Sequence, residues 1–449
     1  MGRLRAIHRS FSDQNGPMDD ALRAWVEHTA GGRIAALTRP SAGGSRELYF
    51  VDIARADGSI VPLVVRCEGG GSFSGTEISP TKEAVVYRAL EHTSVPVPRI
   101  VGLAPGGAAL LMERVAGTSD LSELDDAARD ETMLSFVDAL VALHNLDVDT
   151  LALNGFPRPR SAEDHARLDL ELWEKLANEH APHLDPLVRY AGAWLRAHAP
   201  TSVSRTVLVQ GDTGPGNFVF DHGSVTGIVD WEFAHLGDPM DDWAWLDMRL
   251  PDTDLAELQE RYSRATGIAI DHERIRYYRV AVDYRCAVTT SLAVSRGGGA
   301  RGWPPYLLVT ERYVLGLAER LSSLLGVVER ADLPAVTTTA RTPWFDHLLD
   351  GIRVATRAVD DPDVREHTRN LQILVHYLRA YDEVGTEVER VDRADRIATL
   401  GADALDEPVF SQTVERAGTD GDERVLRYLL RRTQRERLLW STVLDRPRR

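Results

Sequence analysis

The sequence predicts an α+β fold in which strands are concentrated in the first part of the chain and helices dominate the remainder. Aliphatic and β-branched segments predict buried strands at 47–54, 61–66 and 108–115. Longer segments with apolar residues at helical spacing predict helices at 121–146, 162–178, 184–198, 255–266, 272–295 and 304–325. This order indicates an N-terminal antiparallel sheet with an accompanying helix, followed by a mainly helical region.

The composition is that of an ordinary globular protein with an acidic surface. The 449 residues can form two or three domains, and 43% of them are hydrophobic. A formal net charge of −16 argues against nucleic acid or an anionic membrane as the main partner, and it is compatible with a cationic substrate. Two cysteines give no disulfide framework, and the N-terminal residues lack the apolar core of a signal peptide. No apolar run reaches the ~20 residues needed to cross a bilayer, so we expect a cytoplasmic protein.

The first part of the chain contains a candidate phosphate loop. An amphipathic helix is predicted over 17–29, and the turn before the strand at 47–54 contains Gly43, Gly44 and Ser45. A turn of small residues between two strands can place backbone N–H groups over phosphates. An ordinary Gly-Gly hairpin is the alternative interpretation.

The second predicted strand ends in a cation, Arg66. Ser79 followed by Pro80 predicts the start of a helix over 79–92, with Glu83 in its first turn. A strand-end cation paired with an acid on the next helix suits contact with the α- and β-phosphates of a nucleotide, and arginine can hold phosphate through two hydrogen bonds. We therefore expect Arg66 to pair with Glu83, although a surface salt bridge is the alternative.

The most informative segment, 209–218, reads Val-Gln-Gly-Asp-Thr-Gly-Pro-Gly-Asn-Phe. It holds Asp212 and Asn217 five positions apart in a loop whose glycines allow a tight backbone path, and a later apolar run ends on Asp230. Phosphoryl transfer needs one carboxylate for the proton of the attacking hydroxyl, together with carboxylate and amide oxygens for Mg²⁺. A solvated turn is the alternative, but the spacing and the second acid together favour a phosphoryl-transfer site.

These residues resemble the aminoglycoside phosphotransferase-like kinases, whose catalytic loop reads His-Gly-Asp-x-x-x-x-Asn and whose metal acid lies in an Asp-Trp-Glu segment. The resemblance covers roughly residues 17–327 and implies a bilobal protein-kinase-like fold that uses ATP. It also implies that Asp212 is the catalytic base and that Asn217 and Asp230 bind Mg²⁺. The chain departs from the family at Gln210, where His is usual; Gln can still form hydrogen bonds, and we expect it to brace the loop.

The same resemblance implies a nucleotide site in the N-terminal lobe. Its residues are Gly43, Gly44, Ser45, Arg66, Glu83, Glu113 and Val115. Backbone groups near Glu113 and Val115, at the hinge between the lobes, are expected to contact adenine. Asp238, in a Gly-Asp-Pro segment, is expected to brace the catalytic loop rather than to bind metal.

The strand-ending arginine resembles the branch of the family that is linked to acyl-CoA dehydrogenases, which implies a hydroxyacyl-CoA or hydroxy acid as acceptor. Arg276 and Arg279 lie three residues apart, so they share one side of the helix predicted over 272–295, and they are candidate acceptor-binding residues. Pairing with nearby acids is the alternative for these arginines. An aminoglycoside acceptor, and a weakly active pseudokinase that only binds nucleotide, are alternative functions.

We expect three regions: a nucleotide-binding lobe at 1–116, a catalytic lobe at 117–330 and an accessory helical domain at 331–449. The last region resembles a helical domain of unknown function found behind some kinases of this branch. Apolar stripes at helical spacing in this region indicate that it docks on the kinase or forms a homodimer.

Overall fold

The computed structural model describes residues 18–39, 47–68, 73, 76–297 and 303–445. The candidate phosphate-loop residues Gly43, Gly44 and Ser45 lie outside the described residues. In chain order the strands are β1 (Gly32–Thr38), β2 (Leu48–Arg55), β3 (Ile60–Cys67), β4 (Ile100–Leu103), β5 (Ala109–Glu113), β6 (Val207–Val209), β7 (Phe218–Asp221), β8 (Ser224–Ile228) and β9 (His235–Gly237).

Helices dominate the chain after β5, as the sequence predicts. In chain order, the α-helices described, including the two that precede β5, are α1 (Asp20–Ala30), α2 (Pro80–Leu90), α3 (Asp126–His144), α4 (Asp164–His180), α5 (Pro186–Ala197), α6 (Met240–Arg249), α7 (Ala256–Thr266), α8 (His272–Ser295), α9 (Trp303–Leu325), α10 (Thr342–Ala358), α11 (Pro362–Ala380), α12 (Thr386–Leu400), α13 (Glu407–Asp420) and α14 (Glu423–Leu444). The predicted α+β class is confirmed. None of the helices described is long and apolar enough to cross a membrane.

The chain divides into two compact units. The first comprises the described residues up to Asp169 together with Pro200–Arg279, and the second comprises Leu170–Ala199 together with the described residues from Val280 onward. The predicted boundary between residues 330 and 331 stays a prediction.

The N-terminal sheet of the first unit has strand order β1-β2-β3-β5-β4, and each neighbouring pair is antiparallel. Alternate residues of β2 and β3 are buried, and Val51, Ile53 and Val65 share a core with Val26 of α1. The alternation follows from the two-residue repeat of a strand, because only one side chain in two faces the helix. Arg66 lies near the end of β3, opposite Leu110 of β5.

Helix α2 begins as its sequence predicts. The Ser79 side chain accepts a hydrogen bond from the Lys82 backbone N–H (3.4 Å), and Pro80 occupies the first turn. Glu83 is fully buried in that turn. Further along the first unit, β6 pairs with β9 and β7 pairs with β8, and these short ladders frame the loop 210–217 and the segment 229–234.

Helices and the segments that connect them make up the described residues of the second unit. Helix α13 packs closely on α5, because a Cβ atom at Gly418 would come within 2.4 Å of the Tyr190 carbonyl oxygen. Buried Arg435 on α14 pairs with Asp392 of α12 at 3.1 Å. The glycine sets the distance between α5 and α13, and the ion pair ties α14 to α12.

Candidate functional site

Gln210 connects the two acidic segments of the site. Its Nε2 donates to the carbonyl oxygens of Val229 (3.0 Å) and Asp230 (2.8 Å), and its Oε1 accepts from the backbone N–H of Asp212 (2.8 Å). The residue is almost completely buried. An amide can make these bonds because it carries both a donor and an acceptor, so the residue that replaces the usual His holds the loop 210–217 to the segment after β8.

Asp242, in the first turn of α6, accepts hydrogen bonds from the same loop. Its carboxylate accepts from the backbone N–H groups of Gln210 (3.0 Å) and Gly211 (3.1 Å) and from the Thr213 hydroxyl. His144 Nε2 lies 3.0 Å from the same carboxylate. Burial raises the pKa of Asp242, but its hydrogen bonds with His144 and Thr213 outweigh burial and hold that pKa below its usual value. Asp242 is therefore a fixed anion that orders the loop.

Asp212 and Asn217 contact each other within the loop. Asn217 Nδ2 donates to the Asp212 carbonyl oxygen (2.8 Å) and to Asp212 Oδ2 (2.6 Å). Neither bond uses Asn217 Oδ1, which is the atom that a cation needs. Arg249, the last residue of α6, donates from Nη2 to Asp212 Oδ1. The candidate base is thus held by an amide on one carboxylate oxygen and by a guanidinium on the other.

Arg66 lies at the centre of a cluster of carboxylates. Its Nε is 2.9 Å from Glu83 Oε2, and its Nη2 is 2.5 Å from Asp230 Oδ1 and 3.1 Å from Glu232 Oε2. Glu83 Oε1 also accepts from the Trp231 backbone N–H at 3.3 Å. The expected pairing of Arg66 with Glu83 is therefore present, and the same cation contacts the candidate metal acid.

The backbone of Asp230 is unusual, because its φ of +62° lies in the left-handed region. Such a conformation costs on the order of 1 kcal/mol or more for a residue other than glycine, and Asp tolerates it better than most. The hydrogen bonds from Gln210 to the Val229 and Asp230 carbonyls fix the segment in this conformation. The strained backbone directs the Asp230 carboxylate toward Arg66.

Burial dominates the titration of the two candidate functional acids. It raises the pKa of Asp212, against the opposing effects of Arg249 and Asn217. It raises the pKa of Asp230 to about 7, because Glu232, Glu83 and Asp212 add like charge and Arg66 compensates only in part. The site therefore holds more carboxylate charge than its own cations neutralise.

These properties fit a Mg²⁺–nucleotide complex. Asp230 lacks enough countercharge, and Asn217 orients its two N–H bonds toward Asp212 so that its Oδ1 is left for a cation. Among the described residues, no three His, Cys, Asp or Glu side chains form a ready-made metal cluster. Mg²⁺ is commonly held by one or two carboxylates together with substrate phosphates.

The remaining sequence predictions have different outcomes. Asp238 accepts from the Met240 backbone N–H (3.0 Å) and pairs with Arg274 (2.9 Å), and its expected bracing of the catalytic loop stays a prediction. At the hinge, Glu113 ends β5, and a Cβ atom at Gly227 would come within 3.1 Å of the Val115 side chain. Val115 therefore lies against β8, and contact of this hinge with adenine stays a prediction.

Arg276 and Arg279 of α8 are both paired with acids, and their contact with an acceptor stays a prediction. Arg279 is buried, with 6% of its side chain exposed, and its Nε is 2.9 Å from Asp247 of α6. Arg276 is half exposed and pairs with Glu273, one turn earlier on the same helix. The two arginines share a side of the helix by spacing, but acids neutralise both and burial removes one of them from solvent.

Sequence reasoning missed two residues that position the base, Asp242 and Arg249. Both belong to α6, and their spacing of seven residues, two helical turns, was the available signal that they face the same loop. Their contacts with the loop join residues more than 25 positions apart. Spacing within one helix indicates a shared side, but it does not indicate which distant loop that side contacts.

The fold and the candidate site together define a class of protein, a phosphotransferase with a protein-kinase-like fold. A sequence model of the phosphotransferase enzyme family matches residues 36–278, and the chain belongs to that family.

Two curated relatives each match 45% of the chain. Acyl-CoA dehydrogenase family member 10 of Mus musculus is 25% identical over 214 residues, which are 45% of this chain and 19% of the relative. A probable acyl-CoA dehydrogenase of Arabidopsis thaliana is 28% identical over 222 residues, again 45% of this chain and 26% of the relative. The match thus spans about a fifth to a quarter of the length of these larger proteins.

Among solved structures, a Ralstonia eutropha protein described as a candidate aminoglycoside phosphotransferase superposes with a TM-score of 0.52. The two are 20% identical, and the match covers 68% of this chain and 98% of the other. This likeness establishes a shared fold and confirms the predicted protein-kinase-like architecture.

Proposed function

We propose that this enzyme transfers the γ-phosphoryl group of ATP to a hydroxyl of a small metabolite in a Mg²⁺-dependent reaction. The observation that carries the proposal is the position of Asp212 beside Asn217 on one loop, joined through Gln210 to Asp230. These are the groups that phosphoryl transfer requires, namely a proton acceptor, an amide ligand and an acidic ligand.

In this reaction the acceptor hydroxyl donates a hydrogen bond to Asp212, which receives the proton as the acceptor oxygen forms a bond to the γ-phosphorus. The bond between that phosphorus and the β,γ-bridging oxygen breaks, and ADP leaves. Asn217 and Asp230 would hold Mg²⁺, which when bound neutralises charge on the phosphate oxygens. Arg66 is placed to contact the α- and β-phosphates, with Glu83 fixing its direction. Because burial raises the pKa of Asp212, this carboxylate is a stronger base than a solvated one.

We further propose a hydroxyacyl-CoA or a hydroxy acid as the acceptor. The support is the similarity to proteins named as acyl-CoA dehydrogenase family members, together with Arg66 in place of the lysine that kinases usually have at this strand end. An aminoglycoside acceptor is the second candidate, favoured by the net charge of −16 and by the description of the Ralstonia eutropha protein.

A screen of nucleotide consumption tests the proposal. Purified enzyme is incubated with ATP and Mg²⁺ and with hydroxyacyl-CoAs, hydroxy acids or aminoglycosides, and ADP release and phosphorylated product are both measured. The matched control is Asp212→Asn. ADP and product from a hydroxyacyl compound, absent with the variant, support the proposal. Efficient turnover of kanamycin-like amines alone contradicts the acceptor assignment, and nucleotide binding without any product favours a pseudokinase.

The second unit supports a proposed homodimer. Trp344 on α10 is 70% exposed, and α11 exposes Leu371 and Leu378, which lie seven residues apart. Apolar residues at a seven-residue repeat are typical of helices that pack on another helix, and a second copy of the chain is a partner that is always present. Light scattering of the wild type and of Leu378→Glu tests this proposal. We expect the wild type to be a dimer and the variant to be a monomer. A monomeric wild type would contradict the proposal.

A further inference from the structure

Arg249 contacts two residues of the catalytic loop, Asp212 and Pro215. Its Nη2 donates to Asp212 Oδ1, and its Nη1 donates to the Pro215 carbonyl oxygen at 2.9 Å. Its aliphatic stem lies against Gly214, where a Cβ atom would come within 2.6 Å of Arg249 Cδ. Gly214 has a φ of +134°, so a side chain there is disfavoured on both counts. The loop therefore has the shape that admits this arginine.

The position of Arg249 follows from the helix that carries it. Asp242 and Arg249 are separated by seven residues, or about two turns, so both face the same side of α6. Asp242 accepts from the N–H groups of Gln210 and Gly211 before the base, whereas Arg249 contacts the base itself and Pro215 after it. One helix thus fixes the loop on both sides of Asp212.

Arg249 and Asn217 hold the two carboxylate oxygens of Asp212 separately. Arg249 Nη2 donates to Oδ1, and Asn217 Nδ2 donates to Oδ2 at 2.6 Å. Hydrogen bonds between a guanidinium and a carboxylate are stronger than those between neutral groups. The carboxylate is therefore held in one orientation from both sides.

We propose that Arg249 is a positioning residue for the catalytic base, which it holds in the orientation that receives the acceptor proton. The inference rests on the proposed function, in which Asp212 receives the acceptor proton. Carboxylate oxygens accept more than one hydrogen bond, so Asp212 can be held by Arg249 and Asn217 and still accept from a hydroxyl. The guanidinium then acts through Asp212, and this role requires no contact between Arg249 and the nucleotide.

The experiment compares Arg249→Gln, Arg249→Lys and Gly214→Ala with wild type. Arg264→Gln is the matched control, because Arg264 is an exposed arginine on α7 that pairs with Glu260, one turn earlier on the same helix. The rate of phosphoryl transfer from MgATP to 3-hydroxybutyryl-CoA is measured at pH 7, together with the KM for ATP. Loss of a charge-assisted hydrogen bond predicts that kcat at pH 7 falls about 10- to 100-fold in Arg249→Gln.

The split between kcat and KM separates positioning of the base from general structural damage. In Arg249→Gln, kcat falls and the KM for ATP stays as in wild type. Arg249→Lys, which keeps the charge, recovers part of the activity, and Gly214→Ala lowers kcat in the same direction as Arg249→Gln. The control variant stays as in wild type. An unchanged kcat in Arg249→Gln overturns the inference.

A second measurement judges Arg249 even if no acceptor is phosphorylated. Hydrogen exchange of the peptide that contains Asp212 is compared in wild type, Arg249→Gln, Arg249→Lys and Arg264→Gln. Faster exchange in Arg249→Gln, with Arg249→Lys between it and wild type, supports the inference, and unchanged exchange in Arg249→Gln refutes it. Absence of product with wild type and every acceptor would refute the proposed function alone.

Discussion

Replacement of Gln210 by Met tests whether this residue holds the two acidic segments together. Met has a similar length and is apolar, so the change removes the bonds to the Val229 and Asp230 carbonyls and to the Asp212 N–H. The Thr213 hydroxyl, 3.2 Å from Gln210 Oε1, has one hydrogen and can give it to Asp242 instead. Three lost hydrogen bonds at about 0.5–1.5 kcal/mol each predict a loss of stability of about 1.5–4.5 kcal/mol.

Urea unfolding gives the change in stability of Gln210→Met, and hydrogen exchange of the peptide that contains Asp212 reports on the loop itself. We expect a lower unfolding midpoint and faster exchange of this peptide. Gln210→His is the companion variant, because imidazole keeps one donor and one acceptor. It should remain folded and change kcat by about tenfold or less, equivalent to about 1.4 kcal/mol.

Two results would refute this reasoning in different ways. If Gln210→Met unfolds and exchanges like wild type, the hydrogen bonds of Gln210 do not hold the loop. If Gln210→His gains several orders of magnitude in rate, the natural residue limits catalysis, and the pseudokinase alternative becomes the better account.

Three further predictions concern ionised groups. Asp212→Asn should abolish transfer with ATP affinity retained, which steady-state kinetics and nucleotide titration measure; near wild-type turnover would contradict its role as base. Asp230, whose pKa burial raises to about 7, binds more protons when folded, so the stability of the nucleotide-free enzyme should fall as pH rises from 4 to 7. Asp230→Asn should remove that decline in thermal unfolding and also lose Mg²⁺-dependent nucleotide binding; an unchanged pH dependence would count against the raised pKa. Burial raises the pKa of Glu311 on α9 to about 8, so Glu311→Gln should stabilise the protein at pH 9 and have little effect at pH 5. Equal melting temperatures of the variant and the wild type at pH 9 would contradict this.

Local patterns predicted the elements that carry the nucleotide contacts. Ser79 and Pro80 are start signals that a helix needs at fixed positions, and α2 begins there. Once that helix is placed after a buried strand, few acids other than Glu83 can reach Arg66, and the ion pair is observed. The predicted helix at 272–295 also has the bounds of α8.

Long-range partners limited the remainder of the prediction. The pairing of Arg276 with Glu273 was within reach of helical spacing, but Asp247, the partner of Arg279, is on another helix. The sequence alone does not indicate which arginine is buried, because that depends on how α6 and α8 pack. Arg249 escaped notice for the same reason, since its only local signal is its distance from Asp242.

The excess of carboxylates over cations in the cleft around Arg66 has a kinetic consequence. The cleft contains more carboxylates than guanidinium groups, namely Asp212, Asp230, Glu232 and Glu83 against Arg66 and Arg249. Free ATP would bring further negative charge to this cleft, whereas its magnesium complex brings two positive charges with it. Uncomplexed nucleotide should therefore compete poorly with the metal complex, and the velocity should follow the concentration of the complex rather than that of total ATP. An enzyme built in this way responds to the free magnesium of its surroundings as directly as to the supply of nucleotide.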